Sequence, residues 1–109
     1  MGTFAVGDVV IIPFPYADFS KFKKRPAVVV SDAEFDNLIL CQITSKAETS
    51  KRAILLKDGD FLKGSLQLNS FIRPDKLFTI EQSIIEAKIG SIKGDKTEAI
   101  KGVIRQLFT

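Results

Sequence analysis

Histidine is absent from the 109-residue sequence, and cysteine occurs once, as Cys41. Without histidine, the chain lacks the usual general base at neutral pH, the commonest transition-metal ligand and every Ser–His or Cys–His nucleophile pair. A single cysteine allows neither an internal disulfide nor a multi-cysteine metal site. Its position in the apolar segment 38–41 predicts a buried, unreactive thiol. We therefore expect no metal site and no organic cofactor.

Long hydrophobic runs are also missing. The longest, Val9–Phe14 and Ala27–Val30, are far shorter than the ~20 residues that span a bilayer. The first eight residues have neither a basic start nor the apolar stretch of a secretory signal. With 45% apolar and 27% charged residues, the composition is that of a globular protein. We expect one cytoplasmic domain over residues 1–109, with no membrane association.

Positive charge is in slight excess and unevenly distributed. The 16 basic and 13 acidic residues give a net charge of +3. Lys21, Lys23, Lys24 and Arg25 follow one another with no acidic residue among them. This balance permits an acidic partner but does not by itself demonstrate nucleic-acid binding.

Short runs rich in β-branched residues, bounded by proline, glycine and aspartate, predict six or seven strands. The predicted strands are Asp8–Pro15, Ala27–Ser31, Leu38–Thr44, Ala53–Lys57, Ser70–Arg73, Lys76–Ile80 and Ile85–Ile92. The segment Tyr16–Lys24 has no clear periodicity and is predicted to be a loop. Asp58–Asp60 lacks the remaining ligand spacing of a calcium loop and is predicted to be a turn. Gly90 is predicted to be a bulge or a site of close backbone approach.

The C-terminal segment changes period and predicts one amphipathic helix. Its apolar residues recur every three or four positions. They are Ala99, Ile100, Val103, Ile104, Leu107 and Phe108. This stripe can cover the open face or end of a strongly bent antiparallel sheet. We therefore predict an α+β domain built around a small β-barrel.

Four segments carry a family resemblance in their order and spacing. They are Gly7–Pro15 (GDVVIIPFP), Lys23–Ser31 (KKRPAVVVS), Ile43–Ser45 (ITS) and Arg73–Ile80 (RPDKLFTI). Together they resemble the MazF/PemK (Kid-like) toxins of bacterial toxin–antitoxin systems. The resemblance implies an SH3-like barrel of the CcdB/MazF type. It also implies a homodimeric, metal-independent endoribonuclease (mRNA interferase) that cuts single-stranded RNA, chiefly mRNA, and is inhibited by a cognate antitoxin.

The resemblance implies a catalytic set of Arg25, Thr44, Arg73 and Asp75. A guanidinium offers several donors to a phosphate and stays protonated. Arg73 and Asp75 lie two apart on a strand, so their side chains can reach one site. Asp75 is the candidate base for the ribose 2′-hydroxyl. Three structural alternatives remain: a salt bridge at Arg25, a turn at Thr44, and a simple ion pair between Arg73 and Asp75.

Several relatives carry a histidine in the first loop, and here lysines could replace it as phosphate contacts. The predicted RNA-binding residues are Lys21, Lys23, Lys24, Ser45, Phe19 and Phe22. The two phenylalanines could stack on unpaired bases, although such residues are more often core or interface residues. A solvated lysine run is the alternative for the cations.

Two other functions remain open. A CcdB-like gyrase poison shares this fold, but that group relies on a C-terminal tryptophan and this sequence has no tryptophan. A catalytically silent RNA-binding module would keep the basic loop without a working arginine–aspartate site. An activity assay separates these alternatives from an endoribonuclease.

Overall fold

The computed structural model describes residues 4–15, 20–46 and 51–109. Within these ranges, seven strands form one curled antiparallel sheet, a half-barrel, in the order β4-β6-β3-β2-β1-β7-β5. The strands are β1 (Asp8–Pro15), β2 (Phe22–Ala33), β3 (Asn37–Thr44), β4 (Ile54–Leu56), β5 (Phe61–Gly64), β6 (Ser70–Glu81) and β7 (Ala87–Ile92). Short 3₁₀ turns occupy Asp58–Asp60 and Gln82–Ile84, and helix α1 spans Gly94–Leu107. The predicted α+β class with a C-terminal helix is confirmed.

The central strands are apolar on both faces because each face is covered. Continuous rather than alternating hydrophobicity is expected for such strands. On the helix side lie Val9, Val28, Val30, Cys41, Ile43, Leu56, Phe61, Ile72, Ile92 and Ile100, the helix-side cluster. On the other face lie Val10, Ile12, Ala27, Val29, Leu38 and Leu40, the far-side cluster. Phe14 and Phe78 extend the far-side cluster with an edge-to-face contact, their ring centroids 4.9 Å apart.

Helix α1 covers the sheet with part of its apolar stripe. Ile100 is fully buried in the helix-side cluster, and Ile104 packs against it. Ala99 is exposed, and Phe108, just after the helix, is 78% exposed. The predicted stripe is therefore only partly covered within this chain. In the described residues, no helix has both the length and the apolar character needed to span a membrane.

The predicted loop Tyr16–Lys24 is wrong at its C-terminal end. Residues 16–19 lie outside the described ranges, but Phe22–Lys24 belong to β2 and pair with Pro13–Pro15 of β1. The prolines of β1 do not end its pairing with β2, which continues to Pro15. Pairing with β7 stops at Ile11, so beyond that residue the other side of β1 has no partner strand among the described residues. Proline is tolerated at such a free edge.

Two other strand predictions differ from the structure. The segments Ser70–Arg73 and Lys76–Ile80 are one strand, because residues 74–76 form a bulge opposite the Cys41–Gln42 step of β3. Strand β5 was missed, since its four residues include one buried side chain, Phe61. The predicted turn at Asp58–Asp60 is a 3₁₀ turn, which Asp60 closes by accepting a 2.8 Å hydrogen bond from the Lys57 amide.

Gly90 has the predicted role. A Cβ atom there would lie 2.5 Å from the Lys63 carbonyl oxygen and 3.1 Å from the Phe61 ring. The register between β1 and β7 also shifts beside it, between Val9 and Val10. Both the close approach and the bulge are confirmed. Glycine is required because the backbone of the neighbouring strand β5 approaches this position too closely for a Cβ atom.

Candidate functional site

The far-side face changes from apolar to polar at one end of the sheet. Alternate residues of a strand share a face, so Val29, Ala27 and Arg25 of β2 form one row. In β3, Gln42 follows Leu40 on the same face. Ala27 pairs with Gln42, which places the polar ends of both rows side by side. The polar ends therefore meet beside the far-side cluster.

A pocket of about 360 Å³ opens at this polar end. It is lined by Phe14, Arg25, Gln42, Thr44, Lys46, Arg73 and Lys76, which we call the cationic pocket. Four of these side chains carry a positive charge, and none carries a negative one. Among the described residues, Arg25, Lys46 and Lys76 form no salt bridge. Like charges held together in a concave site create a positive potential that attracts an anion.

Arg73 and Asp75 form a bidentate ion pair at the edge of the cationic pocket. Arg73 Nε donates to Asp75 Oδ1 at 2.9 Å, and Nη2 donates to Oδ2 at 2.8 Å. The side chains are 14% and 28% exposed. Hydrogen bonding from Arg73 lowers the pKa of Asp75 below its usual range, and the same bonds raise the pKa of Arg73. Asp75 is thus a carboxylate at neutral pH and a weak base while the pair is closed.

Thr44 lines the cationic pocket, and its hydroxyl oxygen accepts a hydrogen bond from the backbone. The Lys46 amide donates to Thr44 Oγ1 at 3.2 Å, which holds the chain as β3 ends. Ser45 is exposed and lines a second pocket of about 540 Å³ instead. The walls of this second pocket are largely apolar, and it shares Arg25 and Thr44 with the cationic pocket. A ligand that contacts those two residues can therefore extend in either direction.

The predicted RNA-binding residues are dispersed. Lys23 and Lys24 are exposed and line the second pocket, and Lys24 Nζ lies 2.9 Å from Glu86 Oε1. Lys21 and Phe22 are exposed but line neither pocket, and Phe22 is 66% exposed. Phe19 lies outside the described residues. The structure does not bring the five described residues of this set into one cluster.

Cys41 lies on the opposite face of β3, in the helix-side cluster. It is completely buried, as predicted. Burial, with a smaller contribution from the negative charge of Asp75, raises the pKa of the thiol to about 12. The thiolate, which is the reactive form, is therefore disfavoured.

Sequence reasoning missed four residues that line the cationic pocket. They are Phe14, Gln42, Lys46 and Lys76. Gln42 carried a weak signal, because it is a polar residue in an otherwise apolar segment. Lys76 carried none, since the bulge at residues 74–76 sets its direction. In the described part of the chain, no three His, Cys, Asp or Glu side chains form a group that could hold a metal ion.

Comparison with known proteins gives one family and a set of similar folds. Residues 5–108 match the sequence profile of the PemK-like, MazF-like toxins of type II toxin–antitoxin systems. The fold is similar to MazE–MazF from Deinococcus radiodurans, with a TM-score of 0.77, 20% identity, and 98% and 96% of the two chains covered. It is also similar to an endoribonuclease in complex with its cognate antitoxin from a mycobacterial species, with a TM-score of 0.75, 13% identity, and 95% and 93% covered. No curated protein sequence matches significantly. At these identities, the solved structures show the fold alone.

Proposed function

The chain belongs to the PemK-like, MazF-like toxin family of type II toxin–antitoxin systems, and we propose that it is an endoribonuclease that cuts single-stranded RNA, chiefly mRNA, in the cytoplasm. The observation that carries this proposal is the cationic pocket. It gathers Arg25, Thr44 and Arg73, three of the four residues predicted to be catalytic, and Arg73 holds the fourth, Asp75. A phosphodiester is the anion that such a site in a toxin of this family would bind.

Arg25 and Thr44 bind the scissile phosphate in this proposal. Arg25 has no salt bridge to any described residue, so its guanidinium can donate to the non-bridging oxygens. Those oxygens gain negative charge as the phosphorus becomes five-coordinate, and fixed donors stabilise that charge. The Thr44 hydroxyl adds a neutral donor, since its oxygen already accepts from the Lys46 amide.

Asp75 takes the proton from the ribose 2′-hydroxyl after Arg73 transfers from the carboxylate to the phosphate. The bidentate pair lowers the pKa of Asp75, so the closed pair opposes proton transfer. An incoming phosphate offers Arg73 a second bidentate partner. Once Arg73 leaves, the pKa of Asp75 rises toward its ordinary value and the carboxylate becomes a better base. The ion pair is thus compatible with catalysis, as a resting state.

Cleavage of the RNA consumes no second reactant. Water is consumed only in a later opening of the cyclic phosphate. The 2′-oxygen loses its proton to Asp75 and bonds to phosphorus, and the bond from phosphorus to the 5′-oxygen breaks. That oxygen takes a proton delivered through water, because an arginine with a pKa above ~12 is a poor acid. The products are a 2′,3′-cyclic phosphate and a 5′-hydroxyl.

The exposed residues beside the site would contact the rest of the RNA. Lys21, Lys23 and Lys24 are positioned for phosphates, and Ser45 lies at the wall that the two pockets share. Phe22 is exposed enough to stack on a base, and the same role is proposed for Phe19. Backbone contacts of this kind add affinity without reading sequence.

The proposed partners are a cognate antitoxin and a second copy of the chain. Several large apolar side chains remain exposed on the protomer, including Leu62, Leu68 and Phe108 at 66%, 68% and 78%. Patches of this kind mark interaction surfaces. Sedimentation velocity at micromolar concentration should give twice the 12.1 kDa of one chain. A monomer that retains activity would contradict the homodimer.

Cleavage of single-stranded RNA in excess EDTA tests the proposed function. The nucleophile is attached to the substrate, so no metal-bound water is needed and cleavage should persist. The control substrate has the same sequence with a single 2′-deoxy sugar at the cut site, and it should remain uncut. If antitoxin-free protein leaves RNA of varied sequence intact, or cuts the control equally well, the proposal is wrong. Binding without cleavage would indicate a silent RNA-binding module.

A further inference from the structure

Gln42 carries the one carboxamide among the side chains that line the cationic pocket. It lies on β3, between β2 and β6. It pairs with Ala27 of β2 on one side and with Arg73 of β6 on the other. Its side chain is half-buried and lines the pocket. Among the described residues, it makes no side-chain hydrogen bond. The carboxamide therefore faces the pocket with its donors and its acceptor unused.

The fold does not require an amide at this position. Leu38 and Leu40 precede Gln42 on the same face and are buried in the far-side cluster. An apolar side chain at position 42 would extend that cluster without desolvating a polar group. Polar groups that break the local pattern of a strand without structural partners are expected at functional sites.

Gln42 also supplies a side-chain acceptor that no described group uses, whereas the other acceptors at this site are already partly used. Guanidinium and ammonium groups donate hydrogen bonds and accept none. Thr44 Oγ1 already accepts from the Lys46 amide. Both oxygens of Asp75, at the pocket edge, accept from Arg73. In the described structure, Gln42 Oε1 is the side-chain acceptor of this site that is not engaged.

A phosphate and a ribose hydroxyl need opposite hydrogen-bonding partners from the site. The phosphate oxygens need donors, which Arg25, Lys46 and Lys76 provide. The 2′-hydroxyl has a hydrogen to donate and needs an acceptor within reach of the same phosphate. The 2′-hydroxyl is also the group by which a protein distinguishes RNA from DNA.

We propose that Gln42 is a specificity-determining residue that accepts a hydrogen bond from the 2′-hydroxyl adjacent to the scissile phosphate, in the complex that precedes opening of the Arg73–Asp75 pair. This inference rests on the proposed endoribonuclease function. Gln42 holds the hydroxyl while Asp75 is still occupied by Arg73. When Arg73 moves to the phosphate, the 2′-hydroxyl exchanges its hydrogen bond to Gln42 for one to the freed carboxylate, and its proton then transfers to Asp75. Gln42 thus selects ribose and positions the nucleophile, and Asp75 removes the proton.

The test combines a protein change with a substrate change. Arg25→Ala serves as a slow background that leaves the Arg73–Asp75 pair intact, and binding in it is measured by fluorescence anisotropy. Two oligonucleotides are compared, an all-ribose RNA and the same strand with one 2′-deoxy sugar at the cut site. Loss of one hydrogen bond predicts about tenfold tighter binding of the all-ribose strand. Adding Gln42→Met, which keeps the length of the side chain but cannot accept in this way, should reduce that ratio to about one.

A matched variant separates this effect from a change in folding. Gln106→Met makes the same substitution at an exposed position on α1 and should leave the tenfold ratio unchanged. The affinity of the Gln42→Met variant for the 2′-deoxy strand should change by less than about twofold, since that strand never made the bond. In the otherwise native chain, Gln42→Met should raise KM more than it lowers kcat.

The outcomes distinguish this inference from the function on which it rests. A ratio that stays near tenfold in Gln42→Met overturns the role of Gln42 while RNA cleavage by the native chain stands. An equal loss of affinity for both strands also overturns it and assigns Gln42 to the phosphate or a base. A ratio near one in the Arg25→Ala background has the same meaning. Failure of the native chain to cut RNA in EDTA instead removes the proposed function itself.

Discussion

The cationic pocket gathers four positive side chains in one place, whereas several other cations of the described surface are paired with carboxylates. Lys24, Lys88 and Lys96 each lie within 3.4 Å of a carboxylate. Arg25 and Lys46 have no such partner in the described ranges. Cations that face one another without anions destabilise the free fold, and a bound phosphate removes that repulsion. The structural alternative for Arg25, a salt bridge, is therefore not what the described residues show.

Replacing Arg25 should affect catalysis far more than folding. We expect Arg25→Ala to lower kcat/KM by about 100-fold, the usual scale for loss of a charge-stabilising donor. Arg25→Lys should recover part of the loss because it restores the charge but not the planar fork. Initial rates on a fluorogenic RNA, with thermal melts alongside, provide the measurement. Arg105→Ala, at an exposed position in the last turn of α1, is the control and should be silent.

The pH dependence of cleavage should be flat between pH 5 and 8. Histidine, the side chain that ordinarily titrates there, is absent. The bonds from Arg73 lower the pKa of Asp75 in the free protein, and kcat/KM reports the free protein. The acid limb should therefore lie below the ordinary aspartate value of about 3.9.

The folding stability should depend on pH in the same direction as the activity, because both need Asp75 as a carboxylate. A carboxylate with a lowered pKa stabilises the fold above its unfolded pKa, and that contribution is lost as the pH falls through the folded value. The protein should thus stay folded across the measured range. A midpoint between pH 5 and 8 would assign the base to another group. A log-linear rise with pH would mean that hydroxide, not Asp75, deprotonates the nucleophile.

The identity of the site residues could be predicted only in part. Arg25, Thr44 and Arg73 stand in segments with a family pattern, so their types and order were visible in the sequence. The presence of Gln42 and Lys76 in the pocket was not predicted, although Lys76 lies in one of those segments, because that placement depends on the pairing of β3 with β6 and on the bulge at residues 74–76. Sheet register across residues thirty positions apart is not encoded in a local pattern.

Strands and helices with long apolar patterns were predicted well from the sequence, whereas short or irregular elements were not. Strands β1 and β3 have long apolar patterns and lie within one residue of their predicted bounds, and α1 is the predicted C-terminal helix. Strand β5 has four residues and depends on its partner β7 for its existence. The start of β2 was missed because its first residues, Phe22, Lys23 and Lys24, are exposed and have no strand periodicity. Pairing with β1 decides their conformation, and propensity does not.

The close approach of β5 to Gly90 of β7 predicts the effect of a single methyl group. Gly90→Ala would place its Cβ 2.5 Å from the Lys63 carbonyl oxygen, so the backbone of one strand must move. We expect a loss of about 1–3 kcal/mol in the free energy of unfolding, the range for overpacking. Urea denaturation measures it.

The control for this prediction is the glycine in the helix. No atom lies within 4 Å of a Cβ built on Gly102, and Gly102 has a helical backbone. Gly102→Ala should stabilise the chain by about 0.5–1 kcal/mol through helix propensity. Equal effects of the two substitutions, in sign and size, would contradict the close approach at Gly90.

At the scale of the whole molecule, positive charge is concentrated in one pocket and apolar surface in the pocket beside it. Net charge is only +3, yet the cationic pocket holds four positive side chains and no carboxylate. The second pocket, beside it, is largely apolar. One continuous surface therefore offers sites for anionic groups and for apolar or aromatic groups. An RNA strand has both kinds of group, and so does an acidic polypeptide with hydrophobic side chains.

The cognate antitoxin should therefore compete with RNA for this surface. We expect its inhibitory segment to be acidic and partly disordered in isolation, because such chains gain affinity from charge and fold on a partner. A fragment of that segment at saturating concentration should displace labelled RNA from the toxin. Both complexes should weaken as salt rises, since both depend on the same cations.

Two lysine variants make the competition test specific. Lys46→Ala and Lys76→Ala remove unpaired charges from the cationic pocket and should weaken RNA and antitoxin together, with a shallower salt dependence. Lys63→Ala, on the exposed part of β5, removes the same charge elsewhere and should leave both affinities unchanged. If a saturating fragment left RNA bound, or if the pocket lysines affected one ligand alone, the two ligands would occupy different surfaces. Inhibition would then have to act through a change in the toxin's conformation, since the antitoxin would leave the RNA site open.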